Sequence, residues 1–159
     1  MEQLSDLDAL GRMAIAMGVG VALGFERELS GKSAGIRTYM LICQGAALFM
    51  ICALRLSALV DAAGVLSDPS RIASTVVQGI GFLAAGVILT RNQRVQGLTT
   101  AAQIWVAAAL GLLVGAGFAT FAVIATIASI VALVGLRAIE VRFGLDRRLP
   151  PGSKTAEAD

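Results

Sequence analysis

Five apolar stretches divide this chain: residues 9–25, 36–54, 72–89, 98–116 and 120–136. Each runs close to the roughly 20 residues that carry an α-helix across about 30 Å of hydrocarbon. Their interiors hold no Asp, Glu, Lys or Arg; Arg12 and Arg37 stand near the starts of the first two, and Arg12 can snorkel to the interface. The three prolines, Pro69, Pro150 and Pro151, all fall outside. Strands of a membrane barrel alternate apolar and polar residues over about 10 positions, and these stretches do not. Composition points the same way. Of 159 residues 57% are hydrophobic and mean hydropathy is +0.80, whereas soluble domains hold roughly 45–50% apolar residues. A soluble core of this size cannot enclose so much apolar surface. The expectation is an all-α membrane protein with five transmembrane helices.

Charge placement sets the expected topology. Five spans put the termini on opposite sides. Lys and Arg then divide ten to three: Arg27, Lys32, Arg37, Arg91, Arg94, Arg137, Arg142, Arg147, Arg148 and Lys154 against Arg12, Arg55 and Arg71. The richer side is expected in the cytoplasm, which leaves the N terminus outside and the C terminus inside. The acidic start MEQLSDLDALGR lacks the basic region that opens a signal peptide, so the first helix is expected to be retained. In the outer loop, Asp68 or Ser70 is placed to cap the third helix. The uncharged loop near 115–119 makes the fourth and fifth helices antiparallel neighbours. Residues 1–148 are thus expected to form one membrane domain, and the proline-led polar tail 149–159 to be disordered. Cys43 and Cys52 lie nine apart on one helix, about 13 Å of rise, too far for a disulfide.

A weak internal repeat relates the two halves. Gly35-Ile36-Arg37-Thr38 aligns with Gly97-Leu98-Thr99-Thr100 and Ala46-Ala47-Leu48 with Ala108-Ala109-Leu110, both at an offset of 62, while Gly18-Val19-Gly20 resembles Gly79-Ile80-Gly81 at 61. This suggests two parallel two-helix repeats followed by a fifth helix. Gly20 with Gly24, and Gly111 with Gly115, form GxxxG pairs that let helices approach where lipid offers no hydrophobic drive. Gly81 and Gly86 extend the small-residue faces. Such faces serve packing within the bundle or a homodimer.

The chemistry-bearing residues collect at the cytoplasmic mouth, around the charge-dense stretch that separates the first two spans. The second and fourth helices both begin there, so their positive dipole ends point at it. Thr38, Thr99 and Thr100 add hydroxyls, and Arg27, Lys32, Arg37 and Arg91 add charge. Free N–H groups beside cations can bind an anion such as a lipid or nucleotide phosphate; alternatively these charges set topology and touch headgroups. Glu26 and Glu28, which face different ways on a helix, suit a structural ion pair or a Mg²⁺ site using one or two carboxylates. Within the spans, Gln44, Gln78 and Gln103 can join helices by hydrogen bonds or line a narrow polar path, and Trp105 is expected to pack inside. Histidine is absent. No nucleophile–base pair, zinc-ligand spacing or phosphate loop occurs, so neither enzyme activity nor a metal or organic cofactor is expected, and no nucleic-acid partner.

Residues 26–48, ERELSGKSAGIRTYMLICQGAAL, resemble the first cytoplasmic loop and second helix of the MgtC/SapB family of bacterial inner-membrane proteins. Residues 79–117, with their glycine-rich helix, the Gly-Leu-Thr-Thr-Ala-Ala opening and Trp105, resemble that family's second block. The resemblance implies the bacterial inner membrane, with a periplasmic N terminus. The family's best-known members are associated with growth at low magnesium and survival inside host cells; for this chain the resemblance implies a link to magnesium limitation or stress survival, and action by contacting and modulating other membrane proteins. Many members carry a soluble C-terminal domain after the fifth helix, and the expectation here is the membrane domain alone. A regulatory or interaction protein, touching the lipid bilayer, other inner-membrane proteins and a second copy of itself, is therefore the leading expectation. A transporter or channel for Mg²⁺ or another small solute, and phosphate sensing at the cytoplasmic mouth, are the alternatives.

Overall fold

Apolar runs of helical length, punctuated by glycine and charge, form five helices in the computed structural model, which describes residues 4–64, 67–91 and 94–144. They are α1 (Asp6–Leu29), α2 (Ile36–Ala62), α3 (Ser70–Gly86), α4 (Leu98–Gly115) and α5 (Ala119–Arg142). A short antiparallel hairpin, β1 (Leu89–Arg91) with β2 (Arg94–Gln96), joins α3 to α4. Four helices, α1, α2, α4 and α5, are long and apolar enough to cross a membrane. α3 has 17 residues and crosses by topology. Tyr39 meets Thr100 and Gln103, and Ala47 meets Gly115, so α2 and α4 run parallel. The chain must return from the end of α2 to the start of α4, and α3 is that return.

The chain divides into two units. The first, through Thr126, contains α1–α4 and the opening turns of α5; the second, from Ile127, contains the rest of α5. In the first, α1, α2 and α4 all touch one another, and α3 lies against α4 and α2. Contact faces follow from residue spacing. The buried residues of α1 are Ala9, Ala16, Val19, Gly20, Leu23, Gly24 and Arg27, a single stripe at intervals of three, four and seven. α4 buries about half of its circumference along its whole length, from Thr100 to Gly115, whereas α3 buries only Ile80 and Ala84. The pairing of α1 with α2 and α3 with α4, about a central parallel α2–α4 contact, is the layout expected of two parallel repeats. The copies differ in closeness: Gly20 abuts α2, but its counterpart Gly81 has nothing within 4 Å of an added methyl.

Several boundaries differ from the expectation. α1 continues past Phe25 to Leu29, α2 past Leu54 to Ala62 and α5 past Leu136 to Arg142, because Glu, Arg and Leu favour helix and let it run on beyond the oily core of each span. α3 stops at Gly86 rather than Leu89. The β-branched residues Ile88, Thr90 and Val95 suit the hairpin, and Gly97, at φ +89°, turns the chain into α4. The loop cap falls to Asp68, whose carboxylate accepts the Ser70 N–H at 2.9 Å. Trp105, expected inside, is 49% exposed on the lipid side of α4. The tail 149–159 lies outside the described residues.

Candidate functional site

The site is built by the small-residue stripe of α1. Gly20, Gly24 and Arg27 are four and three residues apart, hence on one face. A methyl added to Gly20 would lie 2.5 Å from the Tyr39 carbonyl oxygen, and one on Gly24 2.5 Å from Ile36 Cα. Backbones therefore touch along this edge. Arg27, the next residue on the face, is drawn into the crevice where α2 begins and retains 3% exposure. A buried guanidinium requires a counter-charge. Glu26 supplies it in a two-pronged pair: Arg27 Nη2 donates to Glu26 Oε1 at 2.6 Å, and Nε to Oε2. Ser30 Oγ donates to the same Oε1 at 3.0 Å. The sequence reading put Glu26, Arg27 and Glu28 in a loop; they form the last turn of α1, which ends at Ser30 before Gly31, at φ +62°.

Glu28 points the other way and performs a different task. Its Oε2 accepts the Ile36 N–H at 3.0 Å, one of the first-turn donors of α2 that has no partner within the helix. The carboxylate also sits at the positive end of the α2 dipole. Gly35 leaves room for it: a methyl there would fall 2.6 Å from the same oxygen. The amino end of α2, read from sequence as open to an external anion, is thus occupied by the chain's own carboxylate.

One turn into the bundle, Tyr39 Oη points at the Thr100 carbonyl oxygen and at Gln103 Oε1, each at 3.4 Å. These are long for O–H···O bonds, and they bridge α2 to α4. Cys43 Sγ donates to the Ala107 carbonyl at 3.2 Å one turn further on. Beyond it Gly111 and Gly115 press α4 onto Cys43, Ala46, Ala47 and Met50 of α2. Gln103 is buried, and its Nε2 has no hydrogen-bond partner among the described residues.

The remaining candidates disperse. Arg37, Thr38 and Thr99 are exposed, Thr100 is buried, and Lys32 is half-buried. Arg91 stands opposite Arg94 in the hairpin. Gln44 is half-buried and Gln78 exposed, so the three glutamines share no environment. A methyl added to Gly86, like one on Gly81, meets nothing within 4 Å among the described residues, so neither glycine packs closely against them. Among the described residues no group of three or more acidic, Cys or His side chains could hold a metal ion. A cavity of about 130 Å³ lies at the other end, between Ser57 of α2 and the start of α3 at Asp68 and Pro69.

Three contributors went unread in the sequence. Tyr39, the only tyrosine, had no motif around it. Ser30 is visible only as i+4 from Glu26. Arg12 was assigned to the interface, but its Nη1 donates to the Gly115 carbonyl at 2.7 Å, closing the carboxyl end of α4, and its guanidinium lies 3.2–3.3 Å from a methyl placed on Gly117, at φ +98°. Extending the small-residue stripe of α1 in both directions would have reached Arg12 and Arg27.

Comparison with known proteins gives one consistent answer. Residues 13–142 match the MgtC family. "Putative magnesium transporter YhiD" of Escherichia coli is 53% identical over 110 residues, covering 65% of this chain and 47% of that protein. "Protein MgtC" of Brucella abortus is 44% identical over 105 residues, covering 66% and 41%. "Protein SapB" of Bacillus subtilis is 38% identical over 121 residues, covering 71% and 50%. The chain spans about half the length of these curated relatives, and no solved structure matches. The match runs through all five helices and the charged turn of α1: this chain belongs to the MgtC family of membrane proteins.

Proposed function

We propose that this chain is a non-catalytic regulatory protein of the bacterial inner membrane that works by helix–helix contact, modulating other membrane proteins and associating with copies of itself. The observation that carries the reading is the internal use of charge at the start of α2. Glu26 neutralises Arg27, Glu28 fills the α2 amino end, and the helices beside them meet backbone to backbone. These groups hold a core together rather than stand along a solute path. The arginine-rich end faces the cytoplasm by the positive-inside bias, and the family resemblance, with the name of the Escherichia coli relative, supports a setting of magnesium limitation or stress. The test is purification from native membranes in mild detergent, with identification of co-purifying membrane proteins, beside a Mg²⁺ flux assay in reconstituted vesicles. A stable partner without flux supports regulation; flux without a partner overturns it.

A second reading, a transporter or channel for Mg²⁺ or another small solute, is favoured by the unpartnered Gln103 Nε2 and by the name of the Escherichia coli relative. It requires flux that falls in Gln103→Leu. Phosphate sensing has less support, because Arg27 and the α2 amino end are already engaged by carboxylates.

A further inference from the structure

We propose that α3 is the surface through which two copies of this chain join in the membrane, an inference that rests on the helix–helix contact reading above and names its self-associating face. Asp68, Arg71, Thr75, Gln78, Phe82 and Ala85 are all exposed and recur at alternating intervals of three and four, the 3.5-residue repeat of a helix seam. Small residues border it on both sides: Ser74 and Gly81 on one, Gly79 and Gly86 on the other. The three glycines meet nothing within 4 Å of an added methyl. The opposite face of α3, at Ile80 and Ala84, is the buried one. The seam is therefore a second contact face, and no described residue of the first unit covers it.

Two features of the seam call for a partner more polar than lipid. Gln78 is the ninth of 17 residues in α3, at mid-span, exposed and without a hydrogen bond among the described residues. A carboxamide left in hydrocarbon is costly. Phe82 beside it is 83% exposed. At the start of the helix Asp68 and Arg71 present opposite charges, and Arg71 makes no ion pair among the described residues.

A second copy meets both needs at once. Copies in one membrane share an orientation, so a two-fold axis along the membrane normal sets α3 parallel to its mate at equal depth. Each seam residue then faces its own counterpart. A carboxamide has both donor and acceptor, so Gln78 pairs with the Gln78 of the mate. Asp68 and Arg71 lie one turn apart, so each arginine can reach diagonally across the axis toward the aspartate of the mate. The bordering small residues allow the two helices to approach closely.

The test is cysteine cross-linking in native membranes. In a Cys52→Ser background that keeps buried Cys43, single cysteines replace Thr75, Gln78 or Phe82 on the seam, or exposed Leu83 off it. Copper-phenanthroline oxidation is expected to give disulfide dimers at the three seam positions and not at Leu83. Dimerisation measured by energy transfer in liposomes should weaken by about 3- to 30-fold in Gln78→Leu, and recover in Gln78→Asn. Equal cross-linking on and off the seam, adducts to a different polypeptide, or unchanged dimerisation in Gln78→Leu would overturn the proposal. Co-purifying partners are scored on the same membranes. Seam cross-links with no other membrane protein bound support the dimer while removing the regulatory reading. Bound partners with no self cross-link overturn the dimer and leave that reading standing.

Discussion

The pair between Glu26 and Arg27 should behave as one unit, and a double-mutant cycle measures it. The two side chains retain 11% and 4% of their accessible surface, so removing the charge of Glu26 leaves the Arg27 guanidinium buried without its counter-charge. Breaking a buried pair by deleting one partner costs about 3–5 kcal/mol. Glu26→Gln keeps an oxygen that can still accept from Arg27 or Ser30, which recovers about 1 kcal/mol and leaves an expected loss of about 2–4 kcal/mol. Arg27→Met removes the cation and keeps the apolar stem; Glu26 retains Ser30, so the expected loss is about 2–3 kcal/mol. In the double variant no charge is stranded, and the loss should be only about 1–2 kcal/mol, a coupling of about 3–5 kcal/mol. Cys43 supplies the assay: it is 0% exposed, so in a Cys52→Ser background a thiol-reactive fluorogenic maleimide reports unfolding during an SDS titration. If the two single losses add to the double within about 0.5 kcal/mol, the two residues do not act as a pair and the account of the charged turn is wrong.

Three further outcomes follow from the same geometry; the first two use the same maleimide readout, and the third is read by helical circular dichroism during SDS titration at each pH. Gly111→Ala should cost about 1–3 kcal/mol by overpacking, since its methyl would meet the Cys43 carbonyl and lie 2.8 Å from Ala46 Cβ, whereas Gly45→Ala, with nothing within 4 Å, should be neutral or slightly stabilising; equal effects would remove the close-packing argument. Glu28→Ala should lose about 1 kcal/mol, as helix-cap deletions do, and Glu28→Gln less, because an amide oxygen still accepts the Ile36 N–H but brings no charge to the dipole; a Gln variant as weak as Ala would refute the cap. Asp68 is held below the usual aspartate value by hydrogen bonds to the Ser70 side chain and then its backbone N–H. Its folded pKa is therefore depressed. The stability it adds is present above the ordinary value near 3.8 and is lost as pH falls from there through the lowered folded value. Asp68→Asn should lack that acid-side decline, and an unchanged profile would contradict the assignment.

The helices were legible because apolar length is a strong signal in a chain with no charge inside its spans. The ends of the helices were not. Hydropathy falls at Glu26, but the helix continues, since Glu and Arg are good helix formers and their mutual pairing removes the reason to stop. The same blindness placed α3 three residues too far: Val87, Ile88 and Leu89 are as oily as the helix before them, and only the β-branching of Val87 and Ile88 hinted at the hairpin. The glycines look alike in sequence and differ as individuals in the structure. Gly20 and Gly81 occupy equivalent places in the repeat, yet one meets a carbonyl and the other open space, because contact depends on the neighbouring helix, which no local pattern encodes. Glu28 shows the limit most clearly, since its partner is an N–H eight residues on whose availability exists only once both helices have formed.

The placement of the two arginines on α1 also bears on which part of the molecule is free to differ. Arg12 and Arg27 lie 15 residues apart, about 22 Å along a helix, at the two ends of one buried stripe. One closes the carboxyl end of α4 through Gly115; the other is neutralised beside the amino end of α2, where Glu28 accepts from Ile36. The α1–α2–α4 core is thus tied at both membrane faces by charge-assisted hydrogen bonds, which are roughly twice as strong as neutral ones, and held between them by backbone contact at four glycines. A core locked in this way resists sliding. α3 has two buried residues against seven for α1, so it is the element of the first unit that can shift at least cost when a neighbour docks. A modulator acting on this protein should accordingly change thiol accessibility at cysteines introduced on α3 while leaving Cys43 protected, and exposure of Cys43 on partner binding would show that the core itself gives way.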